Sequence, residues 1–136
     1  MIETIAVGYD GTPGAEGAAR WAFDLAARLR CAVVLVHAQG LLGRSEEAEA
    51  EQDLEEVAVV LASEYGVDPT RARWHVSQGD PCSALLRAAD PPIAADLVVV
   101  GSRGHLGSAG LPLGSTSHEL AVHSRVPVVV VPARTH

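Results

Sequence analysis

The chain has 136 residues, 48% hydrophobic and 20% charged, with a net charge of −7 and two cysteines. That is enough for one globular domain with a buried core, and too apolar for a disordered chain. The acidity argues against nucleic acid as the main partner, the cysteines make no disulfide framework, no apolar run reaches the roughly 18 residues of a membrane helix, and no basic, apolar leader opens the chain, so a cytoplasmic protein without a membrane or nucleic-acid partner is expected.

Ile2 to Val7 reads as a first strand, ending at Gly8-Tyr9-Asp10. Pro13 to Leu29 reads as a helix, with Trp21, Leu25 and Leu29 at i, i+4, i+8 on one face. Cys31 to Val36 is uniformly apolar, the pattern of a strand buried on both sides. Both Cys31 and Cys82 sit among apolar or small residues and read as packing residues. Ser45 is the expected N-cap of an acidic helix, whose Glu46, Glu47, Glu49, Glu51, Asp53, Glu55 and Glu56 make a solvated face or a docking surface for a basic partner. Leu54, Val57 and Leu61 form its inner stripe, and Gly66 stops it.

Ala72 to Val76 is a shorter third strand. Asp80-Pro81 pairs an N-cap with proline at the first helical position, and the helix it opens runs to about Ala89, before Pro91-Pro92. Asp96 to Val100 is the fourth strand, and a glycine-rich loop follows from Gly101 to Gly114. Thr116 to Glu119 fits a capping box opening a fourth helix. Val126 to Val131 is the last strand.

Strands alternating with helices predict an α/β fold: a single-domain, doubly wound, five-stranded parallel sheet of Rossmann-like kind over 1–136. In the flavodoxin-like order 3-2-1-4-5, the ends of the first and fourth strands meet at the topological switch point, where such sheets bind ligands. Asp10 and Gly101 would then face one crevice. The apolar fifth strand would lie at an edge, which proteins tend to pair or cover.

Val98-Val99-Val100-Gly101-Ser102-Arg103-Gly104, followed ten residues later by Gly114-Ser115-Thr116, is the most informative stretch. Strand, glycine loop and helix N-terminus are the parts of a phosphate site, because glycines let the backbone approach a ligand and free N–H groups at a helix start carry partial positive charge. All basic residues are arginine, which excludes a Walker-A lysine and any Schiff-base chemistry. The six histidines are scattered, without the i, i+4 spacing of a helical zinc site, and no Gly-x-Ser-x-Gly elbow is present. His118 lies one turn inside the fourth helix, where it reads as a surface or supporting residue with a base role conceivable.

The spacing Gly-x2-Gly-x9-Gly-Ser resembles the nucleotide-binding signature of the universal stress protein family, and the resemblance covers nearly the whole chain, from Asp10-Gly11-Thr12 to Pro127–Pro132. It implies ATP, normally with Mg²⁺ held largely by phosphate oxygens and water. Asp10 maps onto the aspartate that accepts from ribose hydroxyls; the same carboxylate suits an Asx-turn or helix cap. Ala38 maps onto the main-chain contact to adenine at the end of the second strand, with His37 beside it as a strand-end residue. Gly101 and Gly104 map onto the first motif glycines, and Gly114 and Ser115 onto the last pair, with Thr116 adding an N–H and Gly8 counted with the first strand's end. Arg103 either pairs with phosphate or faces solvent. Two positions depart from the family pattern: Pro112, which removes an N–H two residues before Gly114, and Thr12, where serine is usual.

The resemblance further implies a homodimer through Val126 to Val131 and a nucleotide-dependent stress-response sensor or regulator acting on an unnamed protein partner. No catalytic residue is assigned; at most slow ATP hydrolysis is expected. The rival readings are an enzyme, a slow ATPase or a nucleotidyl-transfer protein of the adenine-nucleotide α-hydrolase-like group, and an interaction module that binds no nucleotide.

Overall fold

A computed structural model of the chain describes residues 1–38, 40, 44–102 and 115–133. In chain order the elements are β1 (Thr4–Gly8), α1 (Pro13–Leu29), β2 (Ala32–Ala38), α2 (Arg44–Tyr65), a short 3-10 turn (Pro69–Arg71), β3 (Ala72–Ser77), α3 (Pro81–Arg87), β4 (Leu97–Gly101), α4 (Ser115–His123) and β5 (Val128–Val131). The five strands form one parallel sheet in the order β3-β2-β1-β4-β5, as the alternation of elements predicts. No described helix is long and apolar enough to cross a membrane.

Local chemistry sets most of the boundaries. Thr12 caps α1 by accepting from the Ala15 N–H, and Pro13 occupies the first turn, where its missing N–H has no partner to lose. Asp80 caps α3 in the same way through the Ser83 N–H. Gly66 ends α2 at a φ of 73°, in the left-handed region that glycine enters without a Cβ clash. Arg30 ends α1 in the same region, with a φ of 56°, and lacks that freedom.

Connections β1–α1–β2 and β2–α2–β3 run outward on one side. The chain then reverses to β4 and β5, so the two faces receive different helices. Ile5, Val7, Val33, Leu35 and Val99 pack against Ala18, Ala19, Ala22 and Phe23 of α1 and Leu54 and Leu61 of α2. Ala6, Val34, Val36, Val98 and Val100 pack against Ala84 and Leu85 of α3 and Leu120 of α4. The alternation of β-branched side chains between both faces is why these strands read as uniformly apolar. Each fully buried large side chain contributes about 1.5–3 kcal/mol.

Several expectations are corrected. The inner face of α1 is alanine with Phe23, not the Trp21–Leu25–Leu29 stripe; Trp21 is 41% and Leu29 47% exposed, while Leu25 is half-buried. Small residues bring the helix axis close to the sheet, and the larger stripe is left on the flank. Val57 in α2 is also only partly buried, and Ala58 and Ala62 join Leu54 and Leu61 in its place. Helix α2 already includes Ser45, and α4 already includes Ser115, so neither Ser45 nor Thr116 is a cap and the Thr116–Glu119 box is displaced. Consecutive hydroxyl residues leave such a frame ambiguous by a residue or two. Strand β5 begins at Val128, after Pro127, which has no N–H for the ladder and contributes its carbonyl to Val98 N–H at 3.0 Å. The α2 acids Glu46, Glu49, Glu51, Asp53, Glu55 and Glu56 are exposed, as a solvated face requires. Both cysteines are free thiols, Cys31 buried and Cys82 half-buried.

Candidate functional site

Parallel pairing puts the carboxyl ends of all five strands at one pole. At the centre, β1 pairs with both β2 and β4, with Gly8 opposite Val36 and Val7 opposite Val99. This is the switch point, where the connections after β1 and β4 leave on opposite faces, the place where sheets of this kind bind ligands. Gly8, Asp10, Ala38 and Gly101 are brought to this pole together.

Asp10 is exposed at the mouth. Its Oδ1 accepts from the Thr12 N–H at 3.0 Å and from the Thr12 hydroxyl at 2.5 Å, an Asx-turn at the entrance of α1. Thr12, not Asp10, is the helix cap, and its Oγ1 accepts from Ala15 N–H at 3.3 Å. One hydroxyl thus couples the carboxylate to the helix start. The Tyr9 phenol pKa lies above its ordinary value because of burial first, then the Glu16 and Asp10 carboxylates.

Gly101 has a steric reason to be glycine that the motif alone does not disclose. A Cβ there would stand 2.8 Å from the Gly14 carbonyl oxygen and 2.9 Å from its carbonyl carbon, both main-chain atoms that cannot swing away. The end of β4 and the first turn of α1 are in backbone contact, which holds Asp10 and Gly101 at the same end of the sheet. At Gly8 a Cβ would meet Leu85 Cδ1 at 2.8 Å, the tip of a side chain that can move.

Two serines outside the expected site residues position the far wall. Ser102 is buried; its N–H donates to Val131 O at 3.0 Å and its Oγ accepts from Ala133 N–H at 3.3 Å. Ser117, also buried, donates from Oγ to the Ser102 carbonyl at 3.3 Å. These bonds tie the start of α4 to the ends of β4 and β5. Ser115 and Thr116, in the first turn of α4, are thereby held at the same pole, Ser115 exposed and Thr116 half-buried. The sequence signal was a small hydroxyl beside each glycine cluster, which also suits an ordinary turn. Arg103, Gly104 and Gly114 lie outside the described residues, as does Pro112.

On the β2 side, His37 and Ala38 are half-buried. His37 Nδ1 lies 2.9 Å from the Tyr9 carbonyl, which can only accept, so this ring nitrogen carries the proton. Gly40 and Gly79 exchange two backbone bonds of 2.9 Å, joining the loops that follow β2 and β3. The Asp80 carboxyl below them is held under its usual range by the Ser83 backbone N–H and hydroxyl. Among the described residues no three His, Cys, Asp or Glu gather as a metal site.

The donor set fits a nucleotide. A carboxylate beside main-chain groups suits sugar hydroxyls and a base edge, and the α4 start offers hydroxyls and N–H groups of the kind phosphates take. The fold is a doubly wound α/β domain that brings these residues to its switch point.

Comparison with known proteins makes the class specific. The family described as the universal stress protein family matches residues 1–132, and this chain belongs to it. A universal stress protein of Mycobacterium tuberculosis is 35% identical over 136 residues, covering 93% of this chain and 44% of its own length. Another, from Mycobacterium bovis, is 33% identical over 134 residues with the same coverages. The chain therefore spans less than half the length of these relatives. Among solved structures, a universal stress protein in complex with cAMP has a TM-score of 0.77 at 28% identity, with 98% of each chain covered. The universal stress protein of Archaeoglobus fulgidus in complex with dAMP has a TM-score of 0.72 at 21% identity, covering 96% of this chain and 98% of that one; at that identity it shows the shared fold.

Proposed function

We propose that this chain is a nucleotide-binding domain that acts as a sensor or regulator, taking ATP with Mg²⁺ in the crevice between the ends of β1 and β4. The observation that carries the reading is the convergence of Asp10, Gly101 and the start of α4 on one switch point, held by the Gly101–Gly14 backbone contact and the Ser117–Ser102 bond. Asp10 would hold the ribose, main chain at Ala38 the base, and Gly101, Ser115 and Thr116 the phosphates, with Arg103, Gly104 and Gly114 completing the loop. Gly8 serves the site by letting β1 end against Leu85. Bound nucleotide would supply charge and hydrogen-bond partners that bias the surface between Gly101 and Ser115, and so alter what a protein partner meets.

Residues 1–136 would form this domain alone. The edge strand β5, four half-buried valines, would pair with its twin in a homodimer in the cytoplasm. No residue is assigned to catalysis.

The test is to denature freshly purified protein and identify any released nucleotide, then to titrate ATP, ADP, AMP and cAMP with and without Mg²⁺ by calorimetry. ATP near one per chain, or tight Mg-ATP binding lost in Asp10→Ala and Gly114→Ala, is the expected result. The 28% identical structure with cAMP makes the cyclic monophosphate the competitor to beat. A protein that arrives empty and ignores all four nucleotides would overturn the reading. Equilibrium sedimentation of Val130→Lys, expected to be monomeric, tests the dimer.

A further inference from the structure

The opposite pole, at the amino ends of the strands, carries a groove of about 620 Å³. Its walls come from three separate segments: the residues leading into β1, the α1–β2 junction and the start of β3. Arg30, Arg71 and Arg73 all line it, and all are exposed. Arg71 Nη1 donates to the Arg30 carbonyl at 2.7 Å, which fixes one guanidinium across the α1–β2 junction.

Three other surface arginines are ion-paired, Arg20 with Glu16 and Glu64, Arg28 with Asp24, and Arg125 with Asp90, while Arg87 donates to the Ser77 hydroxyl and the Gln78 carbonyl. Among the described residues, Arg30, Arg71 and Arg73 form no ion pair, although the chain has 17 acidic residues and a net charge of −7. Glu3 is the one acidic side chain in the lining, with two carboxylates close outside it: Asp68, near enough to feel the charge of Arg71, and Asp96, held on the Glu3 and Thr4 N–H groups. Cys31 in the same lining is a thiol whose pKa burial pushes up, so it adds no negative charge at neutral pH. Ile2 and Leu29 supply apolar surface beside the charges.

Three arginines against one acidic side chain in the lining give the groove an excess of positive charge, which a multiply charged anion would complement. Guanidinium forks match phosphate oxygens two at a time. The volume is within the range of small-molecule sites, roughly 300–1,000 Å³, larger than a lone oxyanion needs. We propose that the groove between Arg30, Arg71 and Arg73 is a second ligand site, for a small phosphate-bearing molecule, at the pole opposite the nucleotide crevice. It does not depend on the nucleotide reading.

The probe is inorganic pyrophosphate, followed by amide NMR on the full chain. The two poles report separately: residues 30–32 and 71–73 for the groove, residues 8–12, 101–102 and 115–117 for the crevice. The expected result is saturable shifts at the groove that weaken at least tenfold in Arg71→Ala and in Arg73→Ala, while any crevice shifts keep their affinity. Arg73→Lys, which keeps the charge and loses the fork, is expected to recover only part of the binding. Arg73 stands exposed on an edge strand and makes no described side-chain bond, so its replacement leaves the fold intact; a thermal melt checks this. Silence at residues 30–32 and 71–73 overturns the proposal. So do groove shifts unchanged by Arg73→Ala, and so does equal binding of citrate, which would show general anion attraction.

Discussion

The two poles of the sheet are built from different residues. At the carboxyl ends the described contacts are made by small residues: Gly101 lies on Gly14, Thr12 joins Asp10 to α1, and Ser117 holds α4 to Ser102. At the amino ends three arginines line one groove. Helix α1 connects them, capped by Thr12 at the first pole and ended by a left-handed Arg30 at the second. Small residues required beside the ends of elements leave a signature along the sequence. A groove gathered from three distant segments leaves none.

The comparison can be broken or sharpened by substitution. Phe23 is fully buried midway along α1, so Phe23→Ala should cost about 3–4 kcal/mol and weaken both poles together. Urea denaturation gives the loss, and a fall of ligand binding at one pole alone would contradict the view of α1 as their common support. Gly101→Ala acts at the carboxyl pole and should cost about 2 kcal/mol, because backbone on both sides must give. Gly8→Ala, which meets only the movable Leu85 tip, should cost less. Equal urea midpoints for the two variants would refute that distinction.

Thr12→Ala removes the α1 cap and should lower stability by about 1 kcal/mol, with Thr12→Ser restoring most of it in a thermal melt. At the amino pole the sign reverses. Arg30→Gly relieves a left-handed residue and should raise stability by about 0.5 kcal/mol, while removing one guanidinium from the groove; a gain in melting temperature with weaker pyrophosphate binding is the expected pair of results.

The smallest effect is a pH dependence. Asp96 Oδ2 accepts from the Glu3 and Thr4 N–H groups at 2.9 and 3.1 Å, which hold its carboxyl below the ordinary value of 3.8. A carboxyl depressed in the folded state adds stability above its unfolded pKa and loses it as pH falls through the folded one. Asp96→Asn should therefore flatten the acid limb of a stability–pH profile below about pH 4. An unchanged acid limb would show that the pair of N–H bonds carries no such weight.

Much of the candidate site was legible because its constraints are local. Asp10, Gly101 and Ser115 stand next to element ends that their own neighbours define, and the parallel order then brings the ends together. Ser102 and Ser117 were not legible: a buried serine bridging β4 to α4 reads, in one dimension, like any serine in a turn. Arg103, Gly104 and Gly114 were expected at the site and lie outside the described residues, so their placement rests on spacing alone.

By itself the sequence determined what a few neighbouring residues can settle: the cap at Asp80, the stop at Gly66, and strands apolar on both faces that can only be covered by helices; the α1 cap, expected at Asp10, falls on Thr12. Tertiary structure decided which side of each element faces inward and what distant residues share. Helix α1 offers a large apolar stripe at Trp21, Leu25 and Leu29 and a small one of alanines with Phe23. Period alone cannot choose between them; the close approach of helix to sheet does, and it selects the small one. The same holds for the arginines, which are 41 residues apart at Arg30 and Arg71 and meet only because β1, β2 and β3 begin at one pole.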